Sequence, residues 1–330
     1  MTLGIVARAR RGLYGAGVLS RERLPRPVVS VGNLVLGGAG KTPHVQHLAR
    51  WLIGSGRRVA VLSRGYGRRS RGVVWVGRGD GRIADSREGG DEPVLLAQSL
   101  PGVPVVVAES RAEAGREVLA REAVDVFLLD DGFQHLSLHR DVDLLLVDCA
   151  RGLSNRMTLP LGPLREPPSH ARFADGLIVT KCPDPGAGER TAWTVPIPPG
   201  RPKAFSRLVP QGFVGRDGEP VASVAPGSEI LAFSGLARNV QFLETLGEAG
   251  YRVRRHLSYP DHHEYSPADL GRIAREAAGL PAVTTEKDLV RLPPVVPFPV
   301  FALRIAVAFL SGWEEMSRMI LERIGDGGTR

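Results

Sequence analysis

The sequence predicts an α/β protein built on a doubly wound, mostly parallel sheet, with a second, smaller α/β domain after it. Short runs rich in Val, Leu and Ile alternate with helix-like segments from about residue 28 to 180, as expected for parallel strands that are buried on both faces. A segment rich in proline and glycine follows, and the alternation returns at residue 229. We therefore expect a large domain at 28–182, a connector with short strands at 183–228 and a smaller domain at 229–330.

The individual elements follow from the apolar runs and the helical spacing between them. In the large domain, strands are expected at 28–32, 59–63, 104–108, 124–130, 143–147 and 176–180, and helices at 42–53, 91–99, 111–122 and 169–174. In the smaller domain, strands are expected at 229–233, 251–256, 281–284 and 299–303, and helices at 239–248, 267–278 and 312–323.

The composition is that of a soluble globular protein with acidic partners. The chain has 330 residues, 43% of them hydrophobic, and a net charge of +8. Phosphates and anionic lipid surfaces both fit this charge, whereas nucleic acid is not expected, because no basic face is interleaved with aromatic residues. The two cysteines, Cys149 and Cys182, form no CxxC pair, which favours a reducing cytoplasmic compartment over a disulfide framework.

A glycine-rich loop lies between the first expected strand and the first expected helix of the large domain. Glycines turn backbone N–H groups toward an anion, the following helix adds its N-terminal dipole, and a Lys-Thr pair reaches phosphate and Mg²⁺. This arrangement predicts a P-loop NTPase-like domain, although Val35 stands where the full pattern has glycine. The alternative is a glycine turn that binds nothing. The residues expected to hold the nucleotide are Val35, Leu36, Gly37, Gly38, Ala39, Gly40, Lys41 and Thr42.

Carboxylates stand at the end of one expected strand and at the start of one expected helix. Asp130 and Asp131 end the strand at 124–130, where a P-loop protein places oxygen ligands for Mg²⁺; the alternative is a solvent-facing pair. Asp91 follows two glycines and opens a helix, so it is either an N-cap or the base that phosphoryl transfer to a hydroxyl requires. In the smaller domain, His262 lies in a run of two histidines and two acids that suggests a His–carboxylate pair across the cleft more than a metal site.

Two further segments carry candidate functional residues. Gln134 and His135 add polar side chains at the carboxyl edge of the sheet, where open α/β sheets bind ligands. A long loop from Arg151 to Arg172 has little periodicity, and Arg165 within it is a candidate for steadying phosphate charge.

The first 27 residues carry six arginines and one acid around a small apolar cluster. A secretory signal is not expected, because the apolar stretch is short and interrupted by arginine. Two alternatives stay open from the residues alone: a basic amphipathic helix on an anionic membrane surface, or a helix packed on its own domain.

Taken together, these motifs resemble the tetraacyldisaccharide 4′-kinase family. The motifs that carry the resemblance are Ser30-Val31-Gly32-Asn33 with the glycine loop, Ser63-Arg64-Gly65-Tyr66-Gly67, Gly90-Asp91-Glu92-Pro93, Asp130-Asp131-Gly132-Phe133-Gln134-His135, Leu161-Gly162-Pro163-Leu164-Arg165-Glu166-Pro167, Pro260-Asp261-His262-His263 and Thr284-Thr285-Glu286-Lys287-Asp288. They occur in the family's order and span about residues 28 to 292.

The resemblance implies ATP-dependent phosphorylation of the 4′-hydroxyl of a lipid-linked disaccharide 1-phosphate, with Mg²⁺, at the cytoplasmic face of the bacterial inner membrane. It implies that Asp91 is the catalytic base, His262 its supporting histidine and Lys41 a catalytic cation. It also implies that residues around the metal and the phosphates match Asp130, Asp131, Arg165 and Glu166. The segment 1–27 matches the family's membrane-associating helix, the smaller domain closes over the site, and the oligomeric state stays open.

The alternative function is a P-loop nucleotide switch or a metallochaperone-type NTPase. A GTP-reading member of that class carries Asn/Thr-Lys-x-Asp, and Thr180-Lys181-Cys182 begins this pattern. Pro183 occupies the position of the aspartate, which argues against GTP.

Overall fold

The computed structural model describes residues 3–221, 224–236 and 239–325. Across these ranges the strands form a single 13-stranded sheet, flanked by helices. The strands are β1 (Val28–Asn33), β2 (Val59–Ser63), β3 (Val74–Gly77), β4 (Val105–Val107), β5 (Val126–Asp130), β6 (Val142–Asp148), β7 (Gly176–Thr180), β8 (Lys203–Val214), β9 (Pro220–Val221), β10 (Glu229–Ser234), β11 (Arg252–Ser258), β12 (Ala282–Thr285) and β13 (Val300–Ser311).

The helices pack on both sides of the parallel strands. Those expected from the sequence lie within a few residues of their predicted positions, whereas the helices at Ser86–Gly89, Pro185–Thr194 and Glu286–Arg291 were not among the expected ones. The helices are α1 (Leu3–Gly15), α2 (Lys41–Gly54), α3 (Ser86–Gly89), α4 (Asp91–Ser99), α5 (Arg111–Leu119), α6 (Pro185–Thr194), α7 (Asn239–Glu248), α8 (Pro267–Ala277), α9 (Glu286–Arg291) and α10 (Trp313–Ile324). One 3₁₀ helix spans Pro168–Phe173. No helix among the described residues is both long enough and apolar enough to cross a bilayer.

The sheet runs in the order β11-β10-β12-β13-β8-β7-β6-β1-β5-β2-β4-β3, with β9 beside β8. Most pairs are parallel, whereas β13–β8, β8–β9 and β3–β4 are antiparallel. The predicted mostly parallel α/β fold is therefore confirmed. One difference lies at 183–228, where the sequence predicts only short strands but the structure contains α6 and the 12-residue strand β8. Strand β8 contains Pro210 and is only partly buried, so its sequence has no continuous apolar run.

Parallel pairing brings the carboxyl ends of β1, β5 and β6 to one edge of the sheet. The chain leaves β1 into the glycine loop and leaves β5 directly into Asp131, which adopts a left-handed conformation with φ 56°. Gly40, with φ 78°, is the N-cap of α2 and lets the loop turn into that helix without a steric penalty.

Helix α4 begins beside the same edge. Its N-cap is Gly90, which has φ 87°, and a Cβ atom added there would lie 3.0 Å from the carbonyl oxygen of Tyr66. A side chain at this position would meet both backbone strain and close contact. Asp91 is the first residue of the helix and not its cap, so the capping alternative for this aspartate is wrong.

Candidate active site

The glycine loop is held closed by side chains at the strand edge. The Asn33 amide donates to the carbonyl oxygen of Val35 at 2.6 Å. The Lys41 ammonium donates to Asn33 Oδ1 at 3.3 Å and lies 3.4 Å from Asp131 Oδ1. Lys41 and Asp131, both predicted site residues, are therefore paired across the mouth of the loop.

A second set of contacts reaches the loop from the end of β7, at residues considered above only as the start of a GTP-reading pattern. The Thr180 hydroxyl donates to the carbonyl oxygen of Ala39 at 3.0 Å. The Lys181 ammonium donates to the carbonyl oxygen of Gly38 at 2.7 Å and to Gln241 Oε1 at 2.9 Å. Because Gln241 lies on α7, this lysine connects the loop to the C-terminal part of the sheet.

Asp130 is a buried carboxylate without a hydrogen-bond donor. Its side chain is 1% exposed, and neither oxygen has a partner among the described residues. Burial, followed by the charges of Glu92 and Asp131, raises the pKa of Asp130 to about 7. An uncompensated carboxylate in this position fits a hard cation such as Mg²⁺, which takes oxygen ligands. Thr42, also predicted for the metal, is 2% exposed at the start of α2.

Asp131 is fixed by two cations. Arg165 donates to Asp131 Oδ2 at 2.7 Å and to Gln134 Oε1 at 3.4 Å. Burial alone would raise the pKa of Asp131, but the charges of Lys41 and Arg165 outweigh it and lower that pKa. The Gln134 amide in turn donates to the carbonyl oxygen of Asn33 at 2.9 Å, so this predicted group is one connected network.

His135 lies at the other side of this network, among arginines. Its Nε2 lies 3.2 Å from the Ser137 hydroxyl. Burial and the nearby charges of Arg111 and Arg140 lower the pKa of His135 to about 3, so the ring is neutral at physiological pH.

Glu166, another predicted metal ligand, is bound by two partners of its own, Arg11 and His170. Arg11 donates to Glu166 Oε2 with Nε at 3.0 Å and Nη2 at 2.8 Å, and His170 Nδ1 lies 3.1 Å from the same oxygen. The Arg11 guanidinium also packs over Phe133, at 4.8 Å from the ring centroid. Glu166 therefore anchors the N-terminal helix α1 to the body of the protein.

That helix is anchored on one side and exposed on the other. Arg11 is 8% exposed, whereas Leu3, Ile5 and Val6 are 40%, 53% and 50% exposed. The two alternatives for the segment 1–27 are thus both represented in one helix: it packs on its own domain through Arg11 and presents apolar side chains outward.

Asp91 lies in hydrogen-bonding contact with His262, as predicted, and with an arginine that was not predicted. His262 Nδ1 lies 3.1 Å from Asp91 Oδ2, and Arg291 Nε donates to the same oxygen at 2.6 Å. Burial alone would raise the pKa of Asp91, but the His262 hydrogen bond and the Arg291 charge outweigh it and lower that pKa. The carboxylate is therefore ionised at neutral pH.

Glu92, the next residue of α4, also pairs with a residue of the C-terminal part of the chain. Glu92 forms an ion pair with Lys287 of α9. Burial opposes the ionised form of Glu92, whereas the charges of Lys287 and Lys41 lower its pKa below the usual value. Because Lys41 contributes to this lowering, the Glu92 carboxyl lies within the electrostatic range of the Lys41 ammonium.

Arg291 and Lys287 are the site residues that sequence reasoning missed or left without a role. Both lie on α9. Lys287 belongs to the run from Thr284 to Asp288, and Arg291 follows that run. The weak signal was composition: the chain has only four lysines, and Lys287 is one of them. No three His, Cys, Asp or Glu side chains form a ready metal cluster in the parts of the chain that the structure describes.

Comparison with known proteins gives one consistent result. A family model described as tetraacyldisaccharide-1-P 4′-kinase matches residues 1–325. The chain is 44% identical over 299 residues to the tetraacyldisaccharide 4′-kinase of Pelobacter propionicus, covering 87% of this chain and 80% of that one. It is 38% identical over 334 residues to the Syntrophus aciditrophicus protein of the same name, covering 96% and 89%.

A solved structure matches over nearly the whole length. LpxK from Aquifex aeolicus, described as an "apo" form in complex with ATP, superposes with a TM-score of 0.80. It is 36% identical in sequence, and the match covers 98% of this chain and 96% of that one.

Proposed function

The chain belongs to the tetraacyldisaccharide-1-P 4′-kinase family and is a kinase, and we propose that it transfers the γ-phosphate of ATP directly to the 4′-hydroxyl of a tetraacyldisaccharide 1-phosphate. The family resemblance carried by the sequence motifs is thereby confirmed. The acceptor position, the direct transfer and the residue roles below are our proposal, built on the geometry of the site.

The observation that carries the proposal is the position of Asp91. Its Oδ2 atom is engaged by His262 and Arg291, and Oδ1 makes no hydrogen bond among the described residues. The next residue of the helix, Glu92, lies within the electrostatic range of Lys41 at the glycine loop. An ionised oxygen opposite a phosphate cradle is what a general base for an alcohol acceptor needs.

We assign the charge-stabilising roles to the network at the strand edge. The loop from Val35 to Thr42 binds the phosphates through backbone N–H groups, and Lys41 contacts the β- and γ-phosphates. When Lys41 binds the phosphates, its ion pair with Asp131 is replaced by the contact with phosphate. Arg165 reaches transferring phosphate from the same side, and Gln134 and His135 offer neutral polar contacts to the substrate.

Asp130, Asp131 and Thr42 are the residues that would hold Mg²⁺, because their oxygens lie at the loop and Asp130 has no other partner. The ion supplies positive charge against the phosphate oxygens when bound. Glu166 is left out of this set, because two nitrogens of Arg11 and one of His170 already bind its Oε2 atom, whereas Asp131 Oδ1 makes no hydrogen bond among the described residues.

We place the protein on the cytoplasmic face of the inner membrane as a peripheral protein, with α1 as its contact. The same helix carries exposed apolar residues and, after them, Arg8 and Arg10, a combination that suits an anionic lipid surface. We also propose that residues 229–330 close over the site, because His262, Lys287 and Arg291 all come from this part of the chain.

The test is transfer of labelled γ-phosphate from ATP to purified disaccharide lipid, with the labelled position located on the product. We expect label on the 4′-oxygen and little ATP consumption without lipid. The competing function, a nucleotide switch or metallochaperone, predicts lipid-independent release of inorganic phosphate. Competition among nucleotides, with ATP expected to displace GTP, separates the two functions further.

A further inference from the structure

Arg291 is the most strongly fixed side chain around Asp91. It is the last residue of α9, and its side chain is 3% exposed. While Nε donates to Asp91 Oδ2, Nη1 donates to the carbonyl oxygen of Gly235 at 3.1 Å and to Asp288 Oδ1 at 3.2 Å. The planar guanidinium is therefore held by three acceptors at once, a geometry that a lysine ammonium on a flexible chain does not reproduce.

The same guanidinium also contacts the His262 ring. Arg291 Nη2 lies 3.1 Å from His262 Nδ1, and this nitrogen lies 3.1 Å from Asp91 Oδ2. One ring nitrogen cannot accept from Arg291 and donate to Asp91 at the same time. In either tautomer, the guanidinium lies against the ring nitrogen that faces Asp91 and so fixes the position of the ring.

We propose that Arg291 is the positioning residue for the Asp91 base: it holds Oδ2, contacts His262 beside it and leaves Oδ1 open to the acceptor hydroxyl. This inference rests on the proposed function. The hydroxyl oxygen bonds to the γ-phosphorus, the bond from that phosphorus to ADP breaks, and the hydroxyl proton moves to Asp91 Oδ1.

The other charged groups around Asp91 do not replace this role. Asp288 is fully buried and is held by Arg291 itself. Asp261 lies 3.9 Å from His262 Nε2, on the side away from Asp91, and Glu92 is already paired with Lys287. Arg291 is therefore the cation in direct contact with the carboxylate.

The test compares Arg291→Gln and Arg291→Lys with the wild type, using lipid phosphorylation from pH 5 to 9. For Arg291→Gln we expect kcat to fall about 100-fold while the KM for ATP stays within about threefold. Without the guanidinium, the pKa of Asp91 rises, so the acidic side of the kcat/KM profile moves up by about one pH unit. Arg291→Lys keeps the positive charge but lacks the planar guanidinium. We expect its kcat to lie between those of the wild type and Arg291→Gln, and its pH profile to be displaced less than that of Arg291→Gln.

Arg255→Gln is the matched control, because this arginine forms an exposed ion pair with Glu276 in the same part of the chain. It should leave kcat and the pH profile unchanged. Thermal unfolding of each variant identifies loss of the fold, and if Arg291→Gln does not fold, Arg291→Lys decides.

Two results would overturn the inference. One is a Gln variant with the wild-type kcat and pH profile. The other is a Gln variant, or a folded Lys variant where Gln does not fold, that loses activity with no displacement of the profile. If instead the wild type transfers no phosphate to the lipid, the proposed function fails, and that outcome is distinct from a failure of Arg291 alone.

Discussion

The glycine-loop side of the site and the Asp91 side differ in how far along the chain their partners lie. Lys41 pairs with Asn33, eight residues away, through elements of one βα unit. Asp91 pairs with His262 and Arg291, which are 171 and 200 residues away. The loop side also holds Asp131, Thr180 and Lys181, so it is built from β1, β5, β7 and the residues that follow them. The Asp91 side is complete only when the C-terminal helix α9 and the loop of His262 pack against α4.

The two sides also differ in how completely their charges are paired. Asp91 has both a cation and a histidine on one oxygen, whereas Asp130 has no donor at all. A paired carboxylate is preorganised and has a low pKa. An unpaired one is costly until a ligand arrives. The Asp91 side is thus complete in the protein alone, and the loop side is completed by nucleotide and metal.

Removing Lys41 should have the largest effect of the substitutions that separate the two sides. Lys41→Met takes the cation from the phosphates, so kcat/KM for ATP should fall about 1,000-fold, with both ATP affinity and turnover affected. Steady-state phosphorylation of the lipid measures this. Lys203→Met is the control, because Lys203 lies on β8 with its ammonium over the Trp193 ring. This substitution should change neither ATP affinity nor turnover. An unimpaired ATP affinity in Lys41→Met would remove the lysine from the phosphate site.

Asp130→Asn should stabilise the metal-free protein while abolishing metal-dependent turnover. The folded pKa of Asp130, about 7, lies above its unfolded value, so the folded state binds the extra proton and stability falls as pH rises between these two values. The variant loses this penalty, and its gain in the free energy of unfolding should be roughly 1–3 kcal/mol at neutral pH and smaller near pH 4. Urea unfolding in chelator at several pH values measures the gain.

Asp125, beside the other end of β5, provides the control of opposite sign. A side-chain hydrogen bond from Arg58 is the main cause that lowers the pKa of Asp125 to about 2. Its stabilisation is therefore present above the unfolded pKa and lost as pH falls toward the folded one. Asp125→Asn should destabilise the protein at neutral pH. A gain in stability from both substitutions would show that lost charge in general, and not the burial of Asp130, is responsible.

Breaking the Glu92–Lys287 pair should have the smallest effect. Both side chains are about one-third exposed, so Lys287→Met should cost roughly 1–2 kcal/mol of unfolding free energy, less than a fully buried pair. The low pKa of Glu92 means that the stabilisation is present above its unfolded pKa and is lost as pH falls through the folded value. Adding Glu92→Gln to Lys287→Met should restore part of the loss, and further destabilisation would contradict the pairing.

The sequence predicted much of the fold because buried parallel strands appear as unbroken apolar runs. Strand β2 was expected at 59–63 and α4 at 91–99, and both have those bounds. Strand β8 was expected only as short strands, because its side chains are partly exposed and include Pro210. A long antiparallel strand without an apolar run gives no periodic signal to detect.

The sequence also predicted which residue types would meet on the loop side, because their positions follow from strand ends. It did not predict Arg291, because nothing in the local pattern of α9 says which distant carboxylate its last residue contacts. For the same reason, the pairing of Glu166 with Arg11 was not foreseen. These contacts depend on how distant elements pack, which propensity and spacing do not encode.

The most direct test of the two-sided site is to measure ATP affinity and single-turnover phosphate transfer on the same sample of Asp91→Asn. The substituted side chain keeps its size and loses only the basic oxygen, while the glycine loop is untouched. We expect ATP to bind within about threefold of wild type and transfer to the lipid to slow by about 1,000-fold. Transfer at the wild-type rate, or a parallel loss of ATP binding, would contradict the account.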